Sequence, residues 1–406
     1  MELEGRTLDS VSLKEEVCKV VDALTELLVE LSTEIHRTPE LSFEEHKAVQ
    51  LITAVLRDEG FEIEKGVAGL ETAFVATHPS RSNGPRIVFL AEYDALPGVG
   101  HACGHNIIAG SAVGAALAVG KIKERLPGTL QIFGCPAEEK GGGKITMIEH
   151  GVFDSVDIAM MVHPETKNSG TRNNLTWVPL EITFERKSAH ASAAPEQGIN
   201  ALSAVIQTFN SINALREHLS PDASIHGIIT HGGERTNIVP DFAQCRFSVR
   251  SPRRKHRDEL VEKLKNCARG AALAMGCKAR FGHFDQIYDA MRINAPLELA
   301  FRNNLESLGL SVAKDVEQGR GSTDAANVSQ VVPTLHAYVA VAPEEVKLHT
   351  EEFSHAAASA KGMQAMIHAA KAMAMTAVDG FSSEDLINQI KEHFLRGKGS
   401  DSNPEG

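Results

Sequence analysis

The chain has no CxxC pair, no excess of basic charge, no internal repeat and no long hydrophobic run. Each absence excludes something. Its cysteines, Cys18, Cys103, Cys135, Cys245, Cys267 and Cys277, lie scattered. That spacing argues against a disulfide framework and for a reduced, cytoplasmic protein. With 41 basic and 53 acidic side chains the net charge is −12, so neither nucleic acid nor an anionic membrane surface is an expected partner. The longest nearly uncharged apolar stretch, Ile107 to Gly120, is short and rich in Gly and Ala, and no membrane-spanning helix is expected from it. The first residues lack a basic region followed by an apolar run, so no secretory signal is expected.

What is present fits a globular protein. Of 406 residues, 42% are hydrophobic and 23% charged, which excludes wholesale disorder and makes two domains the expected number. Apolar spacing predicts one amphipathic helix over 13–36, and Ser42-Phe-Glu-Glu45 reads as a capping box opening a second, to about Arg57. Short strands are expected at 61–64 and 72–77, and buried ones at 86–92, 129–133 and 158–162. An Ala/Gly-rich helix over 107–123 has side chains small enough to lie close on a sheet. This alternation predicts an α/β domain, its sheet covered by helices on both faces.

The pattern changes near Trp177. A strand (178–185), a helix (199–217), strands (224–230 and 243–250), a helix (255–274) and a strand (277–285) follow. That order, β-α-β-β-α-β, is the split βαβ of ferredoxin-like folds. A helix (296–308), a strand (335–341) and helices (353–377 and 382–395) then resume the first style. The expected organisation is a large domain of 1–177 and 291–395, an inserted domain of 178–290, and a disordered tail of 396–406.

In open α/β sheets ligands bind beyond the carboxyl ends of strands. Four polar clusters fall there: Cys103-Gly-His105 after the strand ending near Glu92, Glu138-Glu139 after 129–133, His163 after 158–162, and His349 after 335–341. Singly, each is more often structural than catalytic. Together, Cys, His and Glu converging on one rim are the donor set of a borderline divalent metal. Gly141-Gly-Gly-Lys144 lacks the GxxxxGK[ST] spacing, and two preceding carboxylates would repel phosphate. Cys103 as a thiol nucleophile is disfavoured, because coordination would consume its thiolate and no resolving cysteine sits nearby.

Glu92-Tyr-Asp-Ala-Leu-Pro, His101-Ala-Cys-Gly-His-Asn106, Pro136-Ala-Glu-Glu139 and His349-Thr resemble the metal-dependent amidohydrolase branch of the aminoacylase/carboxypeptidase metallopeptidases, peptidase family twenty. That branch includes auxin-conjugate, hippurate and aminobenzoyl-glutamate hydrolases and β-alanyl-lysine dipeptidase-like proteins. The resemblance runs from His36 to about Lys361. It implies a two-metal catalytic domain with an inserted lid that dimerises, and two divalent ions per chain, zinc or manganese. Carried over, it implies Cys103 as the bridging ligand, His105 and Glu139 completing one metal, and His163 and His349 shared across the pair. Glu138 is the implied general base. Ser188-Ala-His190 matches a motif whose histidine stabilises the oxyanion in a partner subunit's site. Asn237, in Thr236-Asn-Ile-Val-Pro240, is implied near substrate, and Arg250 is a candidate for holding a carboxylate. Asn106 departs from the Asp of the auxin-conjugate and hippurate enzymes. Glu92-Tyr-Asp94 replaces the HxD metal motif of the exopeptidase cousins, which makes Asp94 an expected orienter of a ligand rather than a ligand.

The implied activity is hydrolysis of the amide bond of an N-acyl amino acid or dipeptide, by a homodimer, through a metal-bridging water and the Glu138 base. Two alternatives stay open: an amidase of a xenobiotic or toxin conjugate, and a binding protein that kept the fold and lost the chemistry.

Overall fold

A computed structural model describes residues 10–313, 319 and 321–400, with side chains as far as 397. The chain divides into two compact units, one of Met1–Asn173, Met291–Gln318 and Thr323–Gly406, the other of Asn174–Ala290 with Gly319–Ser322. In chain order the elements are α1 (Ser10–Ala23), α2 (Thr25–Arg37), α3 (His46–Asp58), β1 (Glu62–Lys65), β2 (Phe74–Thr77), β3 (Arg86–Ala91), α4 (His105–Ile122), β4 (Thr129–Gly134), α5 (Gly143–Glu149) and β5 (Ile158–Glu165). The second unit carries β6 (Thr176–Glu185), α6 (Ala201–Arg216), β7 (Ser224–His231), β8 (Phe242–Ser251), α7 (Arg254–Met275) and β9 (Lys278–His283). The chain then returns through α8 (Ala295–Ser307), α9 (Ala325–Val331), β10 (Thr334–Ala340), α10 (Glu351–Ala357), α11 (Ala360–Ser382) and α12 (Glu384–Ser400).

The first unit is built on a mixed six-stranded sheet in the order β1-β2-β4-β3-β5-β10. β4, β3, β5 and β10 run parallel, while β1 and β2 pair antiparallel at one edge. Parallel strands are covered on both faces, so they read as continuous apolar runs. In β3 the alternation separates the two cores: Ile87, Phe89 and Ala91 join the layer of α1, α2, α4 and α11, and Val88 and Leu90 join that of α5 and α9. α4 lies close because of its glycines: a Cβ on Gly110 would meet Met366 Sδ at 2.2 Å, and one on Gly114 would meet Leu28 Cδ1 at 2.7 Å. From β3 the chain moves to β4 on one side and then to β5 on the other. That reversal opens a crevice at the carboxyl ends of these strands.

The second unit is a four-stranded antiparallel sheet, order β7-β8-β6-β9, with α6 and α7 on one face. Strict alternation of buried and half-buried residues along β8 is the mark of a sheet with a single covered face. Strand order and chain order together give the split βαβ pattern.

Several local expectations are corrected. The helix expected over 13–36 is two helices, broken at Leu24, whose N–H donates to both Val20 O and Val21 O. Ser42 opens no helix. α3 begins at His46, and the Ser42 hydroxyl donates instead to Asp94 Oδ2. The helix expected over 353–377 is divided where the Ser359 hydroxyl caps α11 by accepting from Gly362 N–H. α9 carries no strong apolar period, and the sequence pattern does not predict it. The helix over His105–Arg125 is long and apolar enough to cross a membrane by length and composition. Yet 89% of its most apolar stretch is buried, which makes it the central helix of the core. α12 runs to Ser400 where disorder is expected from 396, and the rest of that tail lies outside the described residues.

Candidate active site

Six of the residues singled out in the sequence meet at the carboxyl ends of β3, β4, β5 and β10. Donor atoms of Cys103, His105 and His163 lie within 4.8 Å of one another, as do those of Cys103, Glu139 and His349 and those of His105, Glu138 and Glu139. Cys103, His105 and His163 are buried and the two glutamates nearly so, whereas the His349 side chain is 54% exposed.

The local backbone explains the convergence. Gly104, between two of the donors, has φ +76°, and a Cβ there would sit 2.5 Å from Pro164 Cγ. Only glycine fits both the conformation and the space. Ala137 (φ 60°) and His349 (φ 65°) also hold left-handed conformations, of the sort that gather at functional sites. The Ala137 turn is fixed by its N–H donating to Glu45 Oε1 at 2.8 Å. The turn presents Glu138 and Glu139 on successive residues. His349 is anchored by its N–H, which donates to Ala102 O at 2.9 Å.

Asp94 ties three of these pieces together. Its Oδ1 accepts from His105 Nδ1 at 2.9 Å, and its Oδ2 accepts from the Glu139 N–H at 3.0 Å and from the Ser42 hydroxyl at 3.1 Å. Burial alone would raise its pKa, but His105, the Glu139 N–H and Lys144 hold it down at about 2. With Asp94 holding the Nδ1 proton, the neutral form of His105 would turn an Nε2 lone pair toward the cluster. His163 is set the same way: its Nδ1 donates to Pro164 O at 2.7 Å, leaving Nε2 3.4 Å from Cys103 Sγ.

The electrostatics follow from burial. Desolvation, then Glu139, pushes the Cys103 thiol well above its ordinary pKa. Desolvation and the neighbouring Glu92, Glu139 and Asp324 push Glu138 well up. Burial acts to lower His105, but Asp94 and Cys103 outweigh it and raise the imidazole well above its usual value. His163 goes well down through burial and the adjacent His336. A cluster of thiol, imidazoles and crowded carboxylates in a dry crevice is costly as it stands, and divalent cations would relieve it.

The donors fit such ions. Among the described residues His105 Nε2 and Glu139 Oε1 are buried with no hydrogen-bond partner, both at the cluster, and buried polar atoms are rarely left so. Soft thiolate, imidazole and carboxylate together suit borderline metals.

Two other residues of the HACGHN segment do different work. His101 Nε2 donates to Ile35 O, and burial holds the ring at about 3. Asn106 donates to Ser32 Oγ and Ala357 O, tying α4 to its neighbouring helices.

His190, Asn237 and Arg250 belong to the second unit. Exposed His190 accepts at Nδ1 from the N–H groups of Ser192 and Ala193, which puts its proton on Nε2. Exposed Asn237 lies on the adjoining turn, its carbonyl accepting from Ala191 N–H. Arg250 donates to Ser322 Oγ at 2.6 Å and stacks over Trp177, 5.3 Å from its ring centre.

Three charged residues of the site escape the sequence pattern. Glu45 reads there as part of a capping box, Lys144 only as the end of a glycine run, and Asp324 belongs to no metal-ligand motif. Their partners lie 92 and 180 residues away along the chain, so local pattern carries no signal for them.

A sheet rim bearing a convergent Cys/His/Glu cluster defines the class, a protein with a candidate divalent-metal centre. The comparisons narrow it. Residues 88–372 match the model of peptidase family M20/M25/M40, and the chain belongs to that family. It is 36% identical to the Xaa-Arg dipeptidase of Mus musculus over 94% of this chain and 92% of that one. It is 31% identical to a p-aminobenzoyl-glutamate hydrolase chain of Escherichia coli K12, over 76% and 69%. Among solved structures, a Bacillus subtilis protein described as a dinuclear metal binding peptidase of this family superposes with a TM-score of 0.65, at 23% identity, over 87% and 98%.

Proposed function

We propose that the cluster holds two divalent cations, zinc or manganese, and that the protein hydrolyses the amide bond of a dipeptide or N-acyl amino acid. The observation that carries this is the convergence of Cys103, His105, Glu139, His163 and His349 with two orphaned buried donors among them. Cys103 as a thiolate would serve both ions, His105 and Glu139 would complete the donor set of one, and His163 and His349 would serve the pair. When bound, such ions polarise a scissile carbonyl and make water acidic enough to attack near neutral pH.

The chain's own groups do the rest. Glu138 takes the proton of the attacking water and returns it to the leaving amine. Its raised proton affinity, from burial and carboxylate neighbours, suits a group that must hold that proton between the steps. Asp94 keeps the His105 ring in its ligating tautomer. Burial of Cys103, His105 and His163 strengthens the charge interactions among them. His190 donates Nε2–H to the developing oxyanion, Asn237 contacts substrate, and Arg250 holds a substrate carboxylate.

Substrates of the relatives set the order of trial. Xaa-Arg dipeptides come first, aminobenzoyl-glutamate second, then acyl-glycine and β-alanyl compounds. The assembly we infer is a homodimer in which His190 serves the partner's site. Co-expressed with different tags, His190→Ala and Glu138→Gln chains form heterodimers in which one of two sites keeps both groups. Activity regained in the doubly purified species is the expected result. A species as inactive as either parent contradicts the shared site.

A further inference from the structure

Behind the ligand cluster, on the sheet face covered by α5 and α9, lies a set of charges that the hydrolysis just described does not use. Lys144, the second residue of α5, is fully buried. Its Nζ lies 2.5 Å from Glu92 Oε1 and 2.6 Å from Asp324 Oδ1, and its backbone N–H donates to Asp324 Oδ2 at 3.0 Å. The other Glu92 oxygen, Oε2, is 3.6 Å from His105 Nε2, the ring nitrogen that has no hydrogen-bond partner among the described residues. Glu92 therefore stands between two claimants. One oxygen is held by an ammonium, and the other faces the nitrogen that is to bind a metal.

A buried carboxylate at that distance from a ligating nitrogen is itself a competent donor for a divalent ion. Joining the centre would add negative charge to ions whose use is to withdraw electrons. We propose that Lys144 is a positioning residue, a tethered cation that holds Glu92 and so withholds it from the metal ligands. Asp324 fixes Lys144 in turn, through two of its donors, one on the backbone and one on the side chain. A buried ammonium needs such partners, and no water is required to reach it. This inference rests on the metal centre proposed above.

Two charge-balanced double variants separate a tether from mere packing. Lys144→Met/Asp324→Asn removes one charge of each sign and leaves Glu92 unheld. Lys144→Met/Glu92→Gln also removes one of each, but takes away the carboxylate that could move. Each is loaded with cobalt(II), and its visible absorption and dissociation constant are compared with those of the wild type. The first is expected to show an altered spectrum and cobalt binding about 10-fold tighter. The second is expected to keep the wild-type spectrum and affinity. Asp324→Asn alone keeps an amide oxygen for Lys144 Nζ and leaves the charged Glu92 contact that holds the ammonium, and is expected to match the wild type. Double variants that behave alike, or an altered spectrum in Asp324→Asn, overturn the tether while the metal centre stands. A wild-type chain that binds no cobalt overturns the centre and the tether together.

Discussion

The two units handle polar chemistry in opposite ways. In the first, parallel strands buried on both faces deliver carboxylates, imidazoles and a thiol into a dry crevice. There they perturb one another: Asp94 is held at about 2, while burial and then Asp94 drive Glu45 up to about 7. In the second, an antiparallel sheet buries one face in a plain apolar core, and His190 and Asn237 lie on exposed segments. The same chain thus keeps its perturbed groups where solvent is scarce and puts the donors proposed for substrate where they stay wet. Charge is expensive in the first unit and cheap in the second, so equal substitutions in the two have unequal consequences.

The largest expected contrast is at the adjacent glutamates. Glu138→Gln lowers turnover by about 10²–10⁴ with metal retained, as for loss of a general base. Glu139→Gln weakens metal binding instead. Elemental analysis of both purified variants beside their turnover is the check, and equal metal loss in both removes the distinction.

Glu45 gives the next effect, read in stability. Its folded-state pKa is raised, so the stabilisation from its neutral form is fully present below the unfolded value of about 4.3 and is lost as pH climbs through about 7. The shift corresponds to about 4 kcal/mol. Glu45→Gln keeps an oxygen for the Ala137 N–H without titrating. Urea unfolding of metal-free protein is expected to show the variant ahead of wild type by up to that amount at pH 8, with the gap closing toward pH 4. A constant gap across that range contradicts the account.

The smallest effect belongs to the second unit. Asn200 caps α6 by accepting from Ser203 N–H at 3.2 Å. Asn200→Ala costs about 1 kcal/mol of stability and leaves metal content as in the wild type. A loss of metal would mean that the units are not separable in the way described.

Much of the fold is legible in the sequence because its signals are local. β3 and β5 announce themselves as apolar runs, β4 as one broken by Gln131, and the alternation of β8 gives away a half-covered sheet. Helix boundaries are less legible, since apolar period continues across Leu24 and across Ala358 while the backbone does not. In the site, Cys103-Gly-His105 and Glu138-Glu139 stand out as compact motifs. The network behind them does not. Lys144 sits in a glycine run that reads as a loop, and its meaning comes from Glu92 and Asp324, which only the sheet and α9 bring to it. Asp94 likewise gains its three partners through tertiary packing.

The central claim is that a cysteine-bridged metal centre on the first unit's sheet rim performs the hydrolysis, and Cys103→Ala tests it most directly. Metal content per chain and turnover of an Xaa-Arg dipeptide are measured together, on wild type before and after chelation and on the variant. The account predicts two ions in the wild type, activity lost with chelation and regained with metal, and a variant that has lost both metal and turnover. A Cys103→Ala protein that keeps two ions and normal turnover contradicts it.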